Sequence, residues 1–280
     1  MKIGIVGLGL IGGSLGLDFR AQGKTVIGVS RQKKTCQEAE RRGVVDQATQ
    51  ELATLAEADI IFLCTPIDKI VPTLAQLVPY LSSETIVTDV ASVKTAIVES
   101  ASQLWPRFVG GHPMAGTERQ GIAAAQKALF KGAAYVLTPK AKTPTEVIEK
   151  VQELITLLGS RYYQCLPEVH DAAVAWISHL PVMVSAALIE ACRSENNIQV
   201  SELMQQLASS GFRDTSRVGG GNPELGVMMA KYNRENLLSF LINYRQALEQ
   251  IISQIAAKDW ESLSESLVQT RDYRQFFSQN

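Results

Sequence analysis

The sequence predicts an α/β fold, with an N-terminal Rossmann-type, doubly wound sheet and a C-terminal all-helical domain. Short β-branched runs alternate with helical patterns over about the first 165 of the 280 residues. Such alternation builds a mostly parallel sheet covered by helices. A glycine-rich motif follows the first run at residues 7–12, and strand signals stop after Pro167. We therefore predict a dinucleotide-binding domain over residues 1–165 and a helical domain over residues 166–280.

Nearly continuous apolar runs predict the strands, because strands of a parallel sheet are buried on both faces. They are Lys2–Val6, Thr25–Ser30, Ile60–Cys64, Thr85–Asp89, Phe108–Gly111, Ala134–Thr138 and Tyr162–Cys165. Helical patterns between them cover Leu10–Gln22, Gln32–Arg42, Ile67–Leu77, Lys94–Ser102 and Pro144–Leu158. The second half predicts helices at Glu168–Cys192, Val200–Leu207, Glu224–Lys231, Arg234–Ala257 and Asp259–Thr270.

Composition excludes several classes of partner. Lys and Arg (27) balance Asp and Glu (28), so neither nucleic acid nor an anionic membrane is expected to bind. Four widely spaced cysteines and three histidines predict neither a disulfide framework nor a metal site, and favour a reduced, cytoplasmic protein. The apolar run from Ile3 to Leu17 is too short to span a membrane, and no other spanning stretch is predicted.

The helical half carries more apolar surface than a small domain covers. Apolar residues recur at helical spacing in one long segment: Leu237, Leu238, Leu241, Tyr244, Leu248, Ile251, Ile252 and Ile255. We predict a homodimer through this half. The alternative is that all of this surface belongs to the core of a single chain.

The glycine motif predicts a dinucleotide site, because it follows a strand and opens a helix within a βαβ unit. Gly7 permits the tight turn, Gly9 lets the backbone approach a pyrophosphate, and Gly12 lets helix and strand pack closely. The residues between them complete the predicted loop: Leu8, Leu10 and Ile11.

The end of the second strand favours NADP over NAD. An acidic residue there would repel a 2′-phosphate, and the sequence has Ser30, Arg31 and Thr35 instead. The hydroxyls can donate hydrogen bonds, and the arginine can pair with phosphate. Lys33 and Lys34 either add charge or belong to an ordinary solvated surface. The segment Cys64-Thr65-Pro66, which leaves a strand, is the predicted position of the nicotinamide ribose.

Five motifs give the chain a family resemblance. They are GLGLIGGSLG (7–16), TDVASVK (88–94), GGHPMAGTE (110–118), HDAAVAWISHLP (170–181) and GFRDTSRVGGGNPEL (211–225). In wording and order they resemble the prephenate and arogenate dehydrogenases, most of all the cyanobacterial arogenate dehydrogenases. The motifs span nearly the whole chain, so together they are specific.

The resemblance implies roles for six residues. His112 is the base that takes a proton from the ring hydroxyl of a cyclohexadienyl substrate, and Ser92 hydrogen-bonds it beside the nicotinamide. In the helical half, Arg217 binds a substrate carboxylate, Asp214 supports the site and His179 reaches the substrate. Glu118 either pairs with a substrate amino group or gates access. The neighbouring pair His170-Asp171 is interpreted as a helix start, with a structural role favoured over a functional one.

Two departures bear on the substrate. Many prephenate-using relatives have His-Leu-Pro-His where this chain has His179-Leu180-Pro181-Val182. Loss of the second histidine favours the amino side chain of arogenate over the keto side chain of prephenate. Glu118 argues the other way, since prephenate-using relatives also place glutamate there. Arogenate is the preferred substrate, with prephenate or dual specificity as the alternative.

The sequence argues against two other functions. Other NADP dehydrogenases with a helical second domain use a catalytic lysine on a long helix, but this half offers only Lys231 and Lys258, neither in such a motif. A non-catalytic NADP-binding sensor would keep the glycine motif and Arg31. It would have no need for Ser92, His112 and Arg217 together.

Overall fold

The computed structural model describes residues 1–277 of the chain. Contacts within the chain divide it into two compact units, Met1–Asn233 and a smaller one that begins at Arg234. The helices that follow residue 165 up to Asn233 belong to the same compact unit as the sheet. The domain boundary near residue 165 therefore stays a prediction.

One eight-stranded sheet forms the centre of the first unit. Its strands are β1 Lys2–Val6, β2 Thr25–Val29, β3 Gln47–Thr49, β4 Ile60–Leu63, β5 Ile86–Asp89, β6 Phe108–Pro113, β7 Ala134–Thr138 and β8 Arg161–Gln164. Their order in the sheet is β3-β2-β1-β4-β5-β6-β7-β8. Neighbours run parallel except β6 and β7, which are antiparallel. The predicted doubly wound, mostly parallel sheet is confirmed.

Helices cover both faces of this sheet. The first five are α1 Leu10–Ala21, α2 Lys33–Arg41, α3 Ile67–Leu77, α4 Thr95–Leu104 and α5 Thr145–Leu157. Alternate residues of β4 show the two cores: Ile60 and Phe62 belong to one buried cluster, while Ile61 and Leu63 belong to the other. Because successive side chains of a strand point to opposite faces, a strand buried on both sides is apolar throughout.

Two strands differ from the sequence prediction. The edge strand β3 was not predicted, because its three residues Gln-Ala-Thr carry no apolar signal. Strand β6 continues past Gly111, so His112 lies within a strand and pairs with Val136 of β7. Glycine and proline are unfavourable in strands, which is why the run Gly-Gly-His-Pro predicted an earlier end.

Five more helices complete the first unit: α6 Pro167–Val174, α7 Leu180–Arg193, α8 Ile198–Leu207, α9 Ser210–Ser216 and α10 Pro223–Tyr232. A single helix over Glu168–Cys192 was predicted, but the structure inserts a π-helical turn, Ala175–His179, between α6 and α7. Helix α9 was not predicted, because its sequence GFRDTS contains mostly weak helix formers.

The helical stretch Pro167–Arg193 is long and apolar enough, by length and composition alone, to cross a membrane. This corrects the expectation that the chain has no such stretch. Those two properties are weak evidence of a span, since core helices of soluble proteins share them. The stretch also buries the polar side chains of His170, Asp171 and His179.

The second unit is a pair of helices, α11 Arg234–Ala256 and α12 Trp260–Arg274. Asp259 caps α12, because its Oδ1 accepts a hydrogen bond from the Ser262 amide at 3.1 Å. Gln254 Nε2 donates to Ser266 Oγ at 3.1 Å, which ties the two helices together. Much of this unit is apolar and exposed, including Leu248 at 45% and Ile252 at 56%.

Candidate active site

The glycine motif forms the turn between β1 and α1. Gly7 has φ +101°, which favours glycine, and its amide donates to the Val29 carbonyl at 2.9 Å. A Cβ on Gly12 would lie 2.0 Å from the Gly7 carbonyl oxygen, so only glycine lets helix and strand approach this closely. A Cβ on Gly9 would meet nothing within 4 Å. The turn is thus packed on its inner side and open at Gly9.

The other three residues of the motif differ in exposure. Leu8 is buried, and its side chain packs over Gly28. Leu10 and Ile11, in the first turn of α1, are half-buried. Leu8 therefore contributes to the core, and only its backbone is available to a cofactor.

The predicted phosphate-binding residues lie together after β2. Arg31 is exposed, and its carbonyl accepts a hydrogen bond from Gln50 Nε2 at 2.7 Å. Ser30 and Thr35 are half-buried, the latter in the first turn of α2. Within residues 1–277 the Arg31 guanidinium has no acidic partner. This strand end therefore presents an unpaired positive charge beside two hydroxyl groups.

The segment after β4 adjoins the glycine turn. Cβ atoms built on Gly12 and Gly7 would lie 3.1 Å from Cys64 Cβ and 3.0 Å from the Thr65 amide nitrogen, respectively. Burial, with Asp89 nearby, raises the pKa of the Cys64 thiol far above its ordinary value, so the thiol is not a nucleophile. Pro66 caps α3. Thr65 Oγ1 is buried without a hydrogen-bond partner among the described residues.

His112 begins a buried chain of hydrogen bonds. Its Nδ1 lies 2.8 Å from His170 Nε2, and His170 Nδ1 lies 2.8 Å from Asp171 Oδ1. Burial lowers the pKa of His112 well below its ordinary value, and the nearby Lys94 cation lowers it further. His112 is consequently a neutral imidazole near pH 7, the form in which it can accept a proton.

A buried ion pair lies directly behind His112. Lys94 Nζ forms a salt bridge with Asp89 and donates to the Gly111 carbonyl at 2.7 Å. Both side chains are fully buried. Burial lowers the pKa of Lys94, while Asp89 and Asp171 oppose that shift. The pair fixes the backbone of the residue that precedes His112.

His179 belongs to the same cluster and is completely buried. Asn233 Nδ2 donates to His179 Nδ1 at 3.2 Å and to the Asp171 carbonyl at 2.8 Å. Burial lowers the pKa of His179 to about 4, although Asp171 and the Ser92 backbone partly offset this effect. Because Nδ1 accepts, Nε2 carries the hydrogen, and that atom is buried without a partner among residues 1–277.

The predicted hydrogen bond between Ser92 and His112 is wrong for this structure. The Nδ1 atom of His112 is taken by His170, and Ser92 Oγ is buried without a partner in the described part of the chain. The Ser92 backbone instead lies against His179. Ser92 therefore belongs to the histidine cluster, with its hydroxyl group available to a ligand.

Arg217 and Glu118 are among the residues that line a surface cavity of about 680 Å³. Arg217 Nη1 lies 3.4 Å from Glu118 Oε1, and both side chains are more than half exposed. We call this ion pair the rim pair. Among residues 1–277, no hydrogen bond or ion pair joins it to the histidine cluster. Asp214, expected to support Arg217, is exposed on α9, and its side chain forms no hydrogen bond or ion pair within the same residues.

Sequence reasoning assigned no role to several residues of this cluster. Lys94 and Asp89 lie inside the quoted motif TDVASVK, yet only Ser92 was singled out there. His170 and Asp171 were interpreted as a structural pair, and Asn233 was not considered. For Lys94, Asp89, His170 and Asp171 the available signal was their position within the five motifs, whereas Asn233 lies outside them. Only the fold showed that these residues meet.

The residues present fit a bound dinucleotide. At Gly9 the turn is open to a pyrophosphate, and Thr65 and Ser92 offer unpaired buried hydroxyl groups farther along the strand ends. Ligands bind at this edge in doubly wound sheets, outside the carboxyl ends of the strands. No group of three or more residues able to hold a metal ion occurs in the described part of the chain.

Comparison with known proteins identifies the family. The nucleotide-binding domain of prephenate dehydrogenase matches residues 15–164, and the dimerization domain of prephenate dehydrogenase matches residues 166–269. The chain belongs to the prephenate dehydrogenase family. The family resemblance of the five motifs is thereby confirmed. Members are oxidoreductases, and their nucleotide-binding domain supports a nicotinamide cofactor here.

Relatives within the family cover nearly the whole chain. Prephenate dehydrogenase of Bacillus subtilis (strain 168) is 31% identical over 277 residues, which are 96% of this chain and 74% of that protein. The cyclohexadienyl dehydrogenase of Zymomonas mobilis is 29% identical and covers 97% of this chain and 94% of its own length.

Solved structures agree with the fold. Synechocystis arogenate dehydrogenase is 57% identical, with a TM-score of 0.88, and the match covers 99% of this chain and 100% of that one. Prephenate dehydrogenase from A. aeolicus, in complex with hydroxyphenyl propionate and NAD+, is 27% identical. Its TM-score is 0.93, and the match covers 99% of this chain and 98% of that one.

Proposed function

We propose that this protein is an NADP-dependent arogenate dehydrogenase that forms tyrosine by oxidative decarboxylation. The observation that carries the proposal is the buried, neutral His112, held by hydrogen bonds at the sheet edge that also bears the glycine turn. The 57% identity to Synechocystis arogenate dehydrogenase and Val182, in place of a second histidine, support arogenate as the substrate.

The chain's own residues account for the proton transfers. His112 takes the proton from the ring hydroxyl, and the O–H electron pair forms a carbonyl as hydride leaves the same carbon. A nicotinamide held by the glycine turn would supply the acceptor for that hydride. The ring carboxylate departs as carbon dioxide, its bond electrons complete the aromatic ring, and His112 returns the proton to the phenolate oxygen. Aromatisation makes the step effectively irreversible.

Polar groups around His112 have assigned parts in this proposal. Arg217 binds a substrate carboxylate through its planar fork, with Asp214 nearby and Glu118 facing the amino group. His179 presents a buried N–H, and Ser92 a buried hydroxyl, to the substrate or the nicotinamide ribose. Both groups lack a partner among residues 1–277, as expected of atoms that a ligand completes.

NADP is preferred over NAD because of the residues after β2. Arg31 is exposed and has no acidic partner in the described chain, and Ser30 and Thr35 add hydroxyl donors. A 2′-phosphate would find both charge and hydrogen bonds there. The loop residues Gly7 to Gly12 and the segment Cys64-Thr65-Pro66 are the proposed contacts for the rest of the cofactor.

We also propose that the protein is a cytoplasmic homodimer that associates through residues 166–280, while residues 1–165 bind the cofactor. The family match to a dimerization domain over residues 166–269 and the exposed apolar surface of α11 and α12 support this.

Steady-state kinetics test the activity. We expect kcat/KM to be highest for arogenate with NADP, lower for prephenate, and lower again with NAD. His112→Asn should abolish turnover and still bind NADP. If neither substrate yields a reduced nicotinamide, the dehydrogenase proposal is wrong. A higher kcat/KM for prephenate than for arogenate would favour the alternative, a prephenate or dual-specificity enzyme that gives 4-hydroxyphenylpyruvate.

A further inference from the structure

The hydrogen-bonded chain behind His112 indicates which nitrogen of its ring bears the hydrogen. His112, His170 and Asp171 are all buried, and the two imidazoles meet edge to face, with centroids 5.1 Å apart at 70°. His112 Nδ1 pairs with His170 Nε2, and His170 Nδ1 pairs with Asp171 Oδ1, each at 2.8 Å. In a neutral imidazole only one nitrogen bears hydrogen, so the partners determine which one.

Asp171 fixes the first link. Its Oδ1 accepts a hydrogen bond from the Lys94 amide at 2.7 Å, and its Oδ2 accepts one from the Thr95 amide at 2.8 Å. Backbone amides can only donate, so both carboxyl oxygens act as acceptors. Burial raises the pKa of Asp171, but hydrogen bonds from His170, Thr95 and Lys94 outweigh burial and lower it. His170 Nδ1 must therefore donate to the carboxylate.

The remaining links follow from that one. With hydrogen on Nδ1, neutral His170 has a bare lone pair on Nε2 and accepts from His112 Nδ1. His112 then has no hydrogen on Nε2. A doubly protonated His170 would reverse the bond, but burial of its ring disfavours the charged form.

We propose that His170 and Asp171 are positioning residues that hold His112 in the Nδ1–H tautomer, so that Nε2 is the atom that accepts the substrate's proton. The inference rests on the proposed function only for the role of His112 as a base. As Nε2 takes the proton, the new imidazolium donates from Nδ1 to His170, and Asp171 stabilises the charge. The groups that act on His112 are His170 of α6, Lys94, which follows β5, and His179 of the π turn; Asp171 pairs with His170, and Asp89, the last residue of β5, pairs with Lys94.

Lys94 makes this geometry rigid at both ends. Its amide binds Asp171 at the far end of the chain, and its side chain binds the carbonyl of Gly111, next to His112. Asn233 Nδ2 also binds the Asp171 carbonyl at 2.8 Å. Catalytic groups need such support, since small errors in position are costly to rate.

Nitrogen NMR of ¹⁵N-histidine-labelled protein tests the tautomer without any substrate. The chain has only three histidines, so His170→Gln and His179→Gln variants assign the signals. At neutral pH we expect His112 to show a protonated Nδ1 and a bare Nε2. A protonated Nε2 on His112 would overturn the inference. Because no turnover is needed, this result stands apart from failure of the dehydrogenase activity.

Kinetics of Asp171→Asn test the consequence. The amide can donate to His170 Nδ1 and so invert both tautomers, and we expect kcat to fall by roughly 10²–10⁴-fold, with KM and NADP affinity nearly unchanged. The control Ser160→Ala removes a 2.9 Å bond to the Phe130 carbonyl, away from the cluster, and should leave kcat and the NMR pattern intact.

The remaining outcomes of this experiment count against the inference. Unchanged kcat in folded Asp171→Asn would overturn it, and so would a wild-type tautomer pattern in that variant. If the variant unfolds, His170→Gln takes its place in the same measurements, and the wild-type NMR result still decides the tautomer.

Discussion

At the scale of single residues, burial determines which groups of this site carry charge. His112 and His179 are neutral because burial disfavours their protonated forms. Arg31, by contrast, is exposed and keeps its charge at a strand end without an acidic partner in the described residues. The neutral groups suit proton transfer, and the charged one suits a phosphate.

Arg31→Ala tests the phosphate assignment. We expect the variant to lose NADP affinity by roughly 1–3 kcal/mol, because charge-assisted bonds to the 2′-phosphate are removed, while NAD binding changes little. Titration of both cofactors by calorimetry measures the difference. Lys142→Ala, which removes an exposed charge elsewhere, is the control. Equal losses for the two cofactors would rule out the assignment.

Substitution of two glycines of the motif should have different effects. Gly9→Ala adds a methyl group to open space, so the fold should keep its stability while NADP binding weakens at least about tenfold. Gly12→Ala places a Cβ 2.0 Å from a carbonyl oxygen and should lower the free energy of unfolding by about 1–3 kcal/mol. Thermal unfolding and NADP titration separate the effects. Normal NADP binding by Gly9→Ala would contradict the proposed approach of the pyrophosphate.

At the scale of elements, the segment that bears Arg217 is held by close packing against α7. A Cβ on Gly219 would lie 2.4 Å from the Ala186 amide nitrogen, and Ser185 Oγ donates to the Thr215 carbonyl at 2.5 Å. The position of the rim pair thus depends on how closely the segment Arg217–Gly220 approaches α7.

Gly219→Ala should push the turn away from α7. We expect a loss of about 1–3 kcal/mol in the free energy of unfolding, and a KM for substrate that rises more than kcat falls. Gly220→Ala is a matched control, since its Cβ would meet nothing within 4 Å. Equal stability and KM for the two variants would show that close packing does not position Arg217.

Some elements are predictable from the sequence and others are not, for physical reasons. The strand–turn–helix around Gly7 is local in sequence, so its pattern alone predicts it. The links from His112 to His170 and from Lys94 to Asp171 cross 58 and 77 positions, and no local pattern encodes them. The π turn at Ala175–His179 differs from an α-helix by backbone geometry that apolar periodicity does not reveal. The bond predicted for Ser92 is absent: His112 Nδ1 pairs with His170, and Ser92 Oγ has no partner among the described residues.

At the scale of the whole molecule, buried neutral histidines make stability depend on pH. Unfolded histidine has a pKa near 6.5, whereas His179 in the fold titrates at about 4. Between these values the unfolded chain binds a proton that the folded protein does not. The free energy of unfolding therefore falls as pH drops from 6.5 toward 4.

Denaturant titrations across that range should show the decline, and His179→Gln should show a smaller one. A variant with the same slope as the wild type would exclude His179 as a contributor. His112 adds to the effect in the same direction, since burial lowers its pKa too.

Charged substitutions on α11 test whether the protein dimerises through this helix. Leu248 and Ile252 lie one turn apart on an exposed apolar face, and lysine at both positions should produce monomers in sedimentation experiments. Gln250→Lys, on the opposite side of the same helix, should leave the dimer intact. Dimers in the double variant would place the interface elsewhere.

The absence of hydrogen bonds between the rim pair and the histidine cluster in the described chain has an evolutionary consequence. Changes at Glu118 or Arg217 can alter which substrate side chain the protein accepts. They need not disturb the network that determines which nitrogen of His112 bears hydrogen. Relatives named for prephenate, arogenate and cyclohexadienyl substrates are expected to retain the cluster. Substrate range and bond-breaking chemistry are then separately inherited traits.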